Sequence, residues 1–236
     1  MSAQKHVVGL SGGKDSTALA LWLVENEPRD YEFICNETGN ELPEMLAHWA
    51  NLERLLGKPL KRVRHTKDLE GMIYDEKAIP NWQKRFCTRI LKIEPTIAYM
   101  ETLSDDSVLY VGLRADEESR PGIYGEDLLI RFPLREQGFT EADVWKYLDD
   151  RGVCIPARTD CALCFYQRID EWKTLYMHHR EKFNQGVAIE KRIGHTFRSP
   201  WRDTWPADLE SLGREFESGR VVRNSKRATT CRVCSL

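Results

Sequence analysis

The chain has 236 residues, of which 41% are hydrophobic and 31% charged, and its formal net charge is −2. This is an ordinary globular composition, long enough for one large domain or for one domain with a small appendage. The near-zero net charge excludes a global basic excess of the kind that announces nucleic acid.

In chain order, residues 6–10 (HVVGL) read as a short buried strand. Residues 16–27 (STALALWLVENE) read as a helix, apolar on nearly all sides and stopped at Pro28. Residues 31–35 (YEFIC) form a second strand. Residues 43–56 are an amphipathic helix with Met45, Trp49, Leu52 and Leu56 on one face, ended by Gly57. Residues 107–111 (SVLYV) are another strand. Thr140-x-x-Asp143 is a capping box that opens a helix with Val144, Tyr147 and Leu148 inward and Gly152 past its end. Short apolar strands alternating with helices predict an α/β fold: a parallel sheet with helices on both faces. Beyond residue 150 the periodicity weakens, and a mainly helical or irregular, cysteine-containing region is expected. The expected division is 1–160 for the nucleotide-binding domain and 161–236 for the C-terminal region.

The longest apolar run, residues 18–24, is too short to cross a bilayer. The start, residues 1–5, has no apolar signal core. The seven cysteines are an odd number, so a cytoplasmic protein without disulfides is expected, with metal binding or thiol chemistry instead.

Between the first strand and first helix lies Ser11-Gly12-Gly13-Lys14-Asp15-Ser16. The glycines let backbone N–H groups approach a phosphate closely. The helix start adds unpaired donors and a positive dipole end. Lys14 adds a full charge, and Ser11 and Ser16 add hydroxyls, so a pyrophosphate fits. A Walker A loop is excluded: Asp15 follows Lys14 where Ser or Thr is required, and Val8 stands where the first glycine belongs. A Gly-x-Gly-x-x-Gly dinucleotide fingerprint is absent.

This loop resembles the pyrophosphate (PP) loop of the ATP pyrophosphatases, the adenine nucleotide alpha hydrolase-like superfamily. Other stretches are similar to its phosphoadenosine phosphosulfate (PAPS) reductase family: Asn36-Glu37-Thr38-Gly39-Asn40-Glu41, Phe86-Cys87-Thr88-Arg89-Ile90-Leu91-Lys92, Val111-Gly112-Leu113-Arg114 with Glu118-Ser119-Arg120, and Pro133-Leu134 with the Thr140 helix. The resemblance implies a Rossmann-like fold and a loop that holds the β,γ-phosphates of ATP while an acceptor attacks the α-phosphate. It departs from the adenylyl-sulfate reductases in keeping an intact loop and in lacking their C-terminal Glu-Cys-Gly segment.

The expected nucleotide ligands are thus Ser11, Gly12, Gly13, Lys14, Asp15, Ser16, Thr38, Glu41 and Arg114. Lys14, Lys92, Arg114 and Arg120 are the expected catalytic cations. Asp15 either caps the helix or orients Mg²⁺ against the ATP phosphates. Arg114 and Arg120 are alternatively ion-paired to their acidic neighbours, and Cys35 is read as an inert buried thiol.

Two Cys-x-x-Cys pairs, Cys161/Cys164 and Cys231/Cys234, together with Cys87, suit a metal. The resemblance implies a [4Fe–4S] cluster on Cys87, Cys161 and Cys164, completed by Cys231 or Cys234. Bare spacing points instead to Zn²⁺ on the two pairs. A redox disulfide or persulfide at Cys231/Cys234 is a third option. The basic tail (Arg220, Arg223, Lys226, Arg227, Arg232) is either a solvated end or an arm for a nucleic-acid acceptor.

The expected activity is adenylation of an acceptor for sulfur transfer, with a sulfur donor protein or thiol reductant as partner and no membrane. The alternatives are an adenylyl-sulfate reductase releasing sulfite and a non-catalytic nucleotide-binding partner subunit.

Overall fold

A computed structural model describes residues 4–117, 124 and 127–222. Five strands form one parallel sheet: β1 (His6–Gly9), β2 (Tyr31–Asn36), β3 (Leu60–Val63), β4 (Val108–Tyr110) and β5 (Leu129–Arg131), in the order β3-β2-β1-β4-β5. In register, His6 lies beside Tyr31 on one side and Val108 on the other.

The strands bury both faces, which is why the central ones read as unbroken apolar runs. Alternate residues divide the sheet. Val8, Phe33 and Tyr110 pack with α1 (Lys14–Asn26), α2 (Pro43–Leu56) and α7 (Glu141–Asp149). Val7, Ile34 and Leu109 face Met100 of α5 (Glu94–Met100). Helices therefore cover both faces, as the alternation of elements predicts.

The helix bounds follow local chemistry. Gly57, with φ +63°, closes α2 in the left-handed conformation. Thr140 accepts from the Asp143 N–H while the Asp143 side chain accepts from the Thr140 N–H, which completes the capping box of α7.

Strands β3 and β5 were not expected from the sequence. Both lie at sheet edges, and their exposed or half-buried Lys61, Arg62 and Arg131 break the apolar pattern.

The C-terminal region is helical, with α8 (Ile169–His178), α9 (Arg180–Ile193) and α10 (Leu209–Glu217). These helices share a core with α3 (Leu69–Glu76) and with Phe86, Ile90 and Leu91, centred on the buried Trp172. Glu190 of α9 is buried. It accepts from the N–H groups of Phe197 (2.8 Å) and Leu209 (2.7 Å) and so ties the connection between α9 and α10 to the helix.

Candidate nucleotide and sulfur site

Because β2 and β4 flank β1 and the chain winds away from β1 in both directions, the sheet has its topological switch point between β1 and β4. Ligands of open α/β sheets bind outside the carboxyl ends of the strands at such a point. The loop after β1 and residues 111–114 after β4 meet there. A Cβ on Gly112 would lie 3.1 Å from the backbone of Asp15 and Ser16, so only glycine lets the two loops approach this closely.

The glycine loop is rigidly built. Gly12 takes φ +88°, and a Cβ there would meet Met45 Cε at 2.1 Å and Trp49 Nε1 at 2.9 Å. The Trp49 indole donates to the Ser11 carbonyl (2.8 Å). Gly12 N–H donates to Ser16 Oγ (3.2 Å), Gly13 N–H donates to Ser11 Oγ (3.3 Å), and Ser16 O–H donates to the Gly13 carbonyl (3.0 Å). No side chain caps the start of α1, so the first-turn N–H groups are left for a ligand. Asp15 therefore does not cap the helix. Behind the loop, His48 is buried. Burial lowers its pKa, opposed by a hydrogen bond to the Gly12 backbone.

Charges at the loop are mutually paired. Lys14 Nζ lies 3.0 Å from Asp15 Oδ2 and 3.3 Å from Glu141 Oε1 at the start of α7. The nearly buried Arg114 guanidinium pairs with Asp15 (2.9 Å) and Asp116 (2.8 Å), with Glu117 at 3.7 Å. These acidic neighbours offset the burial penalty and raise the Arg114 pKa. Arg114 thus takes the ion-paired alternative while lying at the ligand end of the sheet. Arg120 lies outside the described residues.

The loop after β2 carries Thr38 and Glu41. Glu41 Oε1 accepts from both the N–H (2.8 Å) and the O–H (2.6 Å) of the buried Thr38. With its proton given to Glu41, the Thr38 hydroxyl accepts from the Cys161 thiol, 3.2 Å away. Asn40 binds the same cysteine turn. Its carbonyl accepts from Ala162 N–H (2.6 Å) and its side chain from Leu163 N–H (2.9 Å). The turn also approaches the glycine loop, where a Cβ on Gly13 would lie 3.6 Å from Thr159 Oγ1.

Cys87 and Lys92 are brought together by an unexpected device. Between α4 (Phe86–Thr88) and α5 the chain makes a π turn, Arg89–Ile93, closed by Glu94 N–H donating to the Arg89 carbonyl. Such an i→i+5 turn shifts the residues after it relative to a regular α-helix. Lys92 is exposed to solvent. Its pKa is raised, chiefly by the charge of Cys161 and further by Asp160, Cys164 and Cys87, against burial. Burial raises the Cys87 thiol, with Lys92 opposing, and pushes Cys164 up to about 12. Cys35 is buried and pushed up to about 11, as an inert thiol should be.

Three of the five expected metal ligands thus gather around an ammonium group. Cys231 and Cys234 lie outside the described residues, as does the basic tail from residue 223. Among the described residues no three His, Cys, Asp or Glu side chains are set to hold a metal ion.

The family model of the phosphoadenosine phosphosulfate reductase domain matches residues 5–157. The chain belongs to this family. The match takes in every loop of the switch point and ends before the Cys161 turn. Family membership carries an enzymatic, nucleotide-utilising function at family level. An uncharacterized protein of Methanocaldococcus jannaschii is 32% identical over 112 residues, 47% of this chain. The chain spans only 23% of that relative's length. Among solved structures, the chain is similar to a PAPS reductase from Candida auris in a phosphate complex, with a TM-score of 0.49 and 14% identity over 65% of this chain and 75% of that one. It is also similar to an NH3-dependent NAD synthetase from Campylobacter jejuni in complex with nitrate, with a TM-score of 0.46 and 12% identity over 96% and 91%. No helix among the described residues is long and apolar enough to cross a membrane.

Gly112, Thr159, Asp160, Glu141 and His48 were not singled out as site residues in the sequence. Only Gly112 carried a local signal, a glycine directly after a strand. The others become neighbours through the fold.

Proposed function

We propose that this chain is an ATP-dependent adenylating, sulfur-transferring enzyme of the PAPS reductase family, acting in the cytoplasm. The observation that carries this reading is the position of the cysteine turn against both loops: Thr38, on the loop after β2, hydrogen-bonds Cys161, and a Cβ on Gly13 of the intact glycine loop would lie 3.6 Å from Thr159 Oγ1. ATP enters as its magnesium complex. Its β,γ-phosphates take the free N–H groups at the start of α1, and Lys14 exchanges its carboxylate partners for them. An acceptor oxygen attacks the α-phosphorus, the bond to the bridging oxygen breaks, and pyrophosphate leaves, its charge stabilised by Lys14.

Sulfur arrives from a donor protein as a persulfide on Cys161. Its terminal sulfur attacks the acceptor atom to which the adenylated oxygen is attached, the bond between that atom and the oxygen breaks, and AMP leaves carrying the oxygen and the bonding pair. Cys87 or Cys164 then attacks the Cys161 sulfur, which releases the thiolated acceptor and leaves a disulfide for a thiol reductant to reopen. Lys92 opposes the burial that raises the Cys87 thiol.

A second reading, reduction of an adenylyl sulfate with release of sulfite, is supported by the family's name. Purified protein incubated separately with labelled ATP and with PAPS, each with a thiol reductant, tests the choice. The expected outcome is AMP and pyrophosphate from ATP, lost in Lys14→Ala, with no sulfite from PAPS. Sulfite release without ATP turnover would establish the reductase instead.

A further inference from the structure

Away from the glycine loop, a recess of about 480 Å³ opens between residues 78–84, ahead of α4, and residues 195–202, between α9 and α10. Trp82, Lys84, Phe165, His195, Arg198 and Arg202 line it, and no Asp or Glu is among its described lining residues.

Trp82 is 62% exposed, yet its ring is held edge-on to Tyr166 at 4.3 Å and to Phe165 at 6.2 Å between centroids. A large apolar ring fixed upright in solvent is a stacking face awaiting a flat partner. Trp201, beside the lining residue Pro200, is 92% exposed.

The charges are asymmetric. Arg198 is matched by Asp203, which it grips through both carboxylate oxygens at 2.8 Å. Arg202 directs its donors to the backbone carbonyls of Phe165, Tyr166 and Gln167. Its charge is therefore anchored but bonded to no carboxylate among the described residues. Lys84 is exposed and makes no ion pair among the described residues. In a chain of net charge −2, this is a locally basic, aromatic recess. Fixed rings with cations beside them that are bonded to no carboxylate are the combination that takes a base and its phosphates.

We propose that this recess binds single-stranded nucleic acid. One base seats against Trp82, the adjoining phosphates lie along Lys84 and Arg202, and Trp201 offers a second stacking face. Phe165 directly follows Cys164, and Lys84 shortly precedes Cys87, so a bound strand lies beside the thiols. The site stands independently of the reaction proposed above.

The full chain is titrated by fluorescence anisotropy with a labelled oligothymidylate of about twelve nucleotides, within the span of such platforms. The same oligomer annealed to its complement, and thymidine monophosphate, serve as competitors. The single strand is expected to bind with an affinity that falls as salt rises and to resist competition by the duplex and the mononucleotide. Trp82→Ala is expected to weaken binding by about tenfold. Lys84→Gln is expected to reduce the salt slope by about one charge. Both positions are exposed, and an unchanged melting temperature confirms that each variant folds. Lys14→Ala is expected to bind the strand as the parent does, so loss of nucleotide turnover and loss of strand binding are read separately. Absence of binding, binding indifferent to both substitutions, or a mononucleotide that competes as well as the strand would overturn the proposal.

Discussion

At the scale of single residues, the site depends on glycines placed where a side chain cannot go. Gly12 is the most constrained, because its φ of +88° disfavours any Cβ and that Cβ would run into Met45 and Trp49. Gly12→Ala is therefore expected to cost about 1–3 kcal/mol of stability. It should also weaken ATP binding by at least about tenfold, through loss of the Trp49–Ser11 hydrogen bond that holds the loop. Thermal melting and nucleotide titration of the variant check this, and an unchanged profile in both would show that the loop tolerates a side chain. The loop itself was legible in the sequence because its chemistry is contiguous. The pairing of Arg114 with Asp15 was not, since the two lie far apart in the chain and meet only where the loops after β1 and β4 converge. The link from Thr38 to Cys161 spans the chain and exists only after folding.

At the scale of elements, central strands and capped helices were legible, and edges were not. Strands β1, β2 and β4 announce themselves because burial on both faces demands unbroken apolar runs. Strand β3, Leu60–Val63, carries Lys61 and Arg62 because an edge strand needs only one buried side. The π turn before α5 had no signature at all, yet it turns Lys92 toward Cys87. In the C-terminal helices the informative element is α9. Burial pushes the Glu190 carboxyl up from 4.5 to about 7, only partly opposed by the two N–H groups it accepts from. A folded-state pKa above the unfolded value means that the native state holds its proton longer. Stability is thus full below about pH 4.5 and falls as pH rises through about 7, by on the order of 3 kcal/mol. Glu190→Gln should flatten this slope. It should also lower the acid-side plateau, because the amide NH2 cannot accept from Phe197 or Leu209, whereas both oxygens of the protonated carboxyl still have lone pairs to accept with. Urea unfolding of both proteins between pH 4.5 and 8 measures the difference, and parallel curves would remove Glu190 as the cause.

At the scale of the whole molecule, the fold brings two chemistries to one edge of a sheet. The switch point between β1 and β4 supplies the phosphate receptor. The C-terminal helices share a core with α3 and the Phe86 segment and so hold the Cys161 turn against the loop after β2. Fold class and phosphate loop follow from local patterns, whereas the assembly of thiols around Lys92 depends on contacts between distant segments. The central claim is that the strand-to-helix turn at Ser11 is a receptor for linked phosphates. A crystal structure with magnesium and a non-hydrolysable ATP analogue tests it most directly. The account predicts the β,γ-phosphates on the N–H groups of Gly13 and Lys14, with Lys14 Nζ moved from Glu141 to a phosphate oxygen. A turn without phosphates, with Lys14 still held by Glu141, would contradict it.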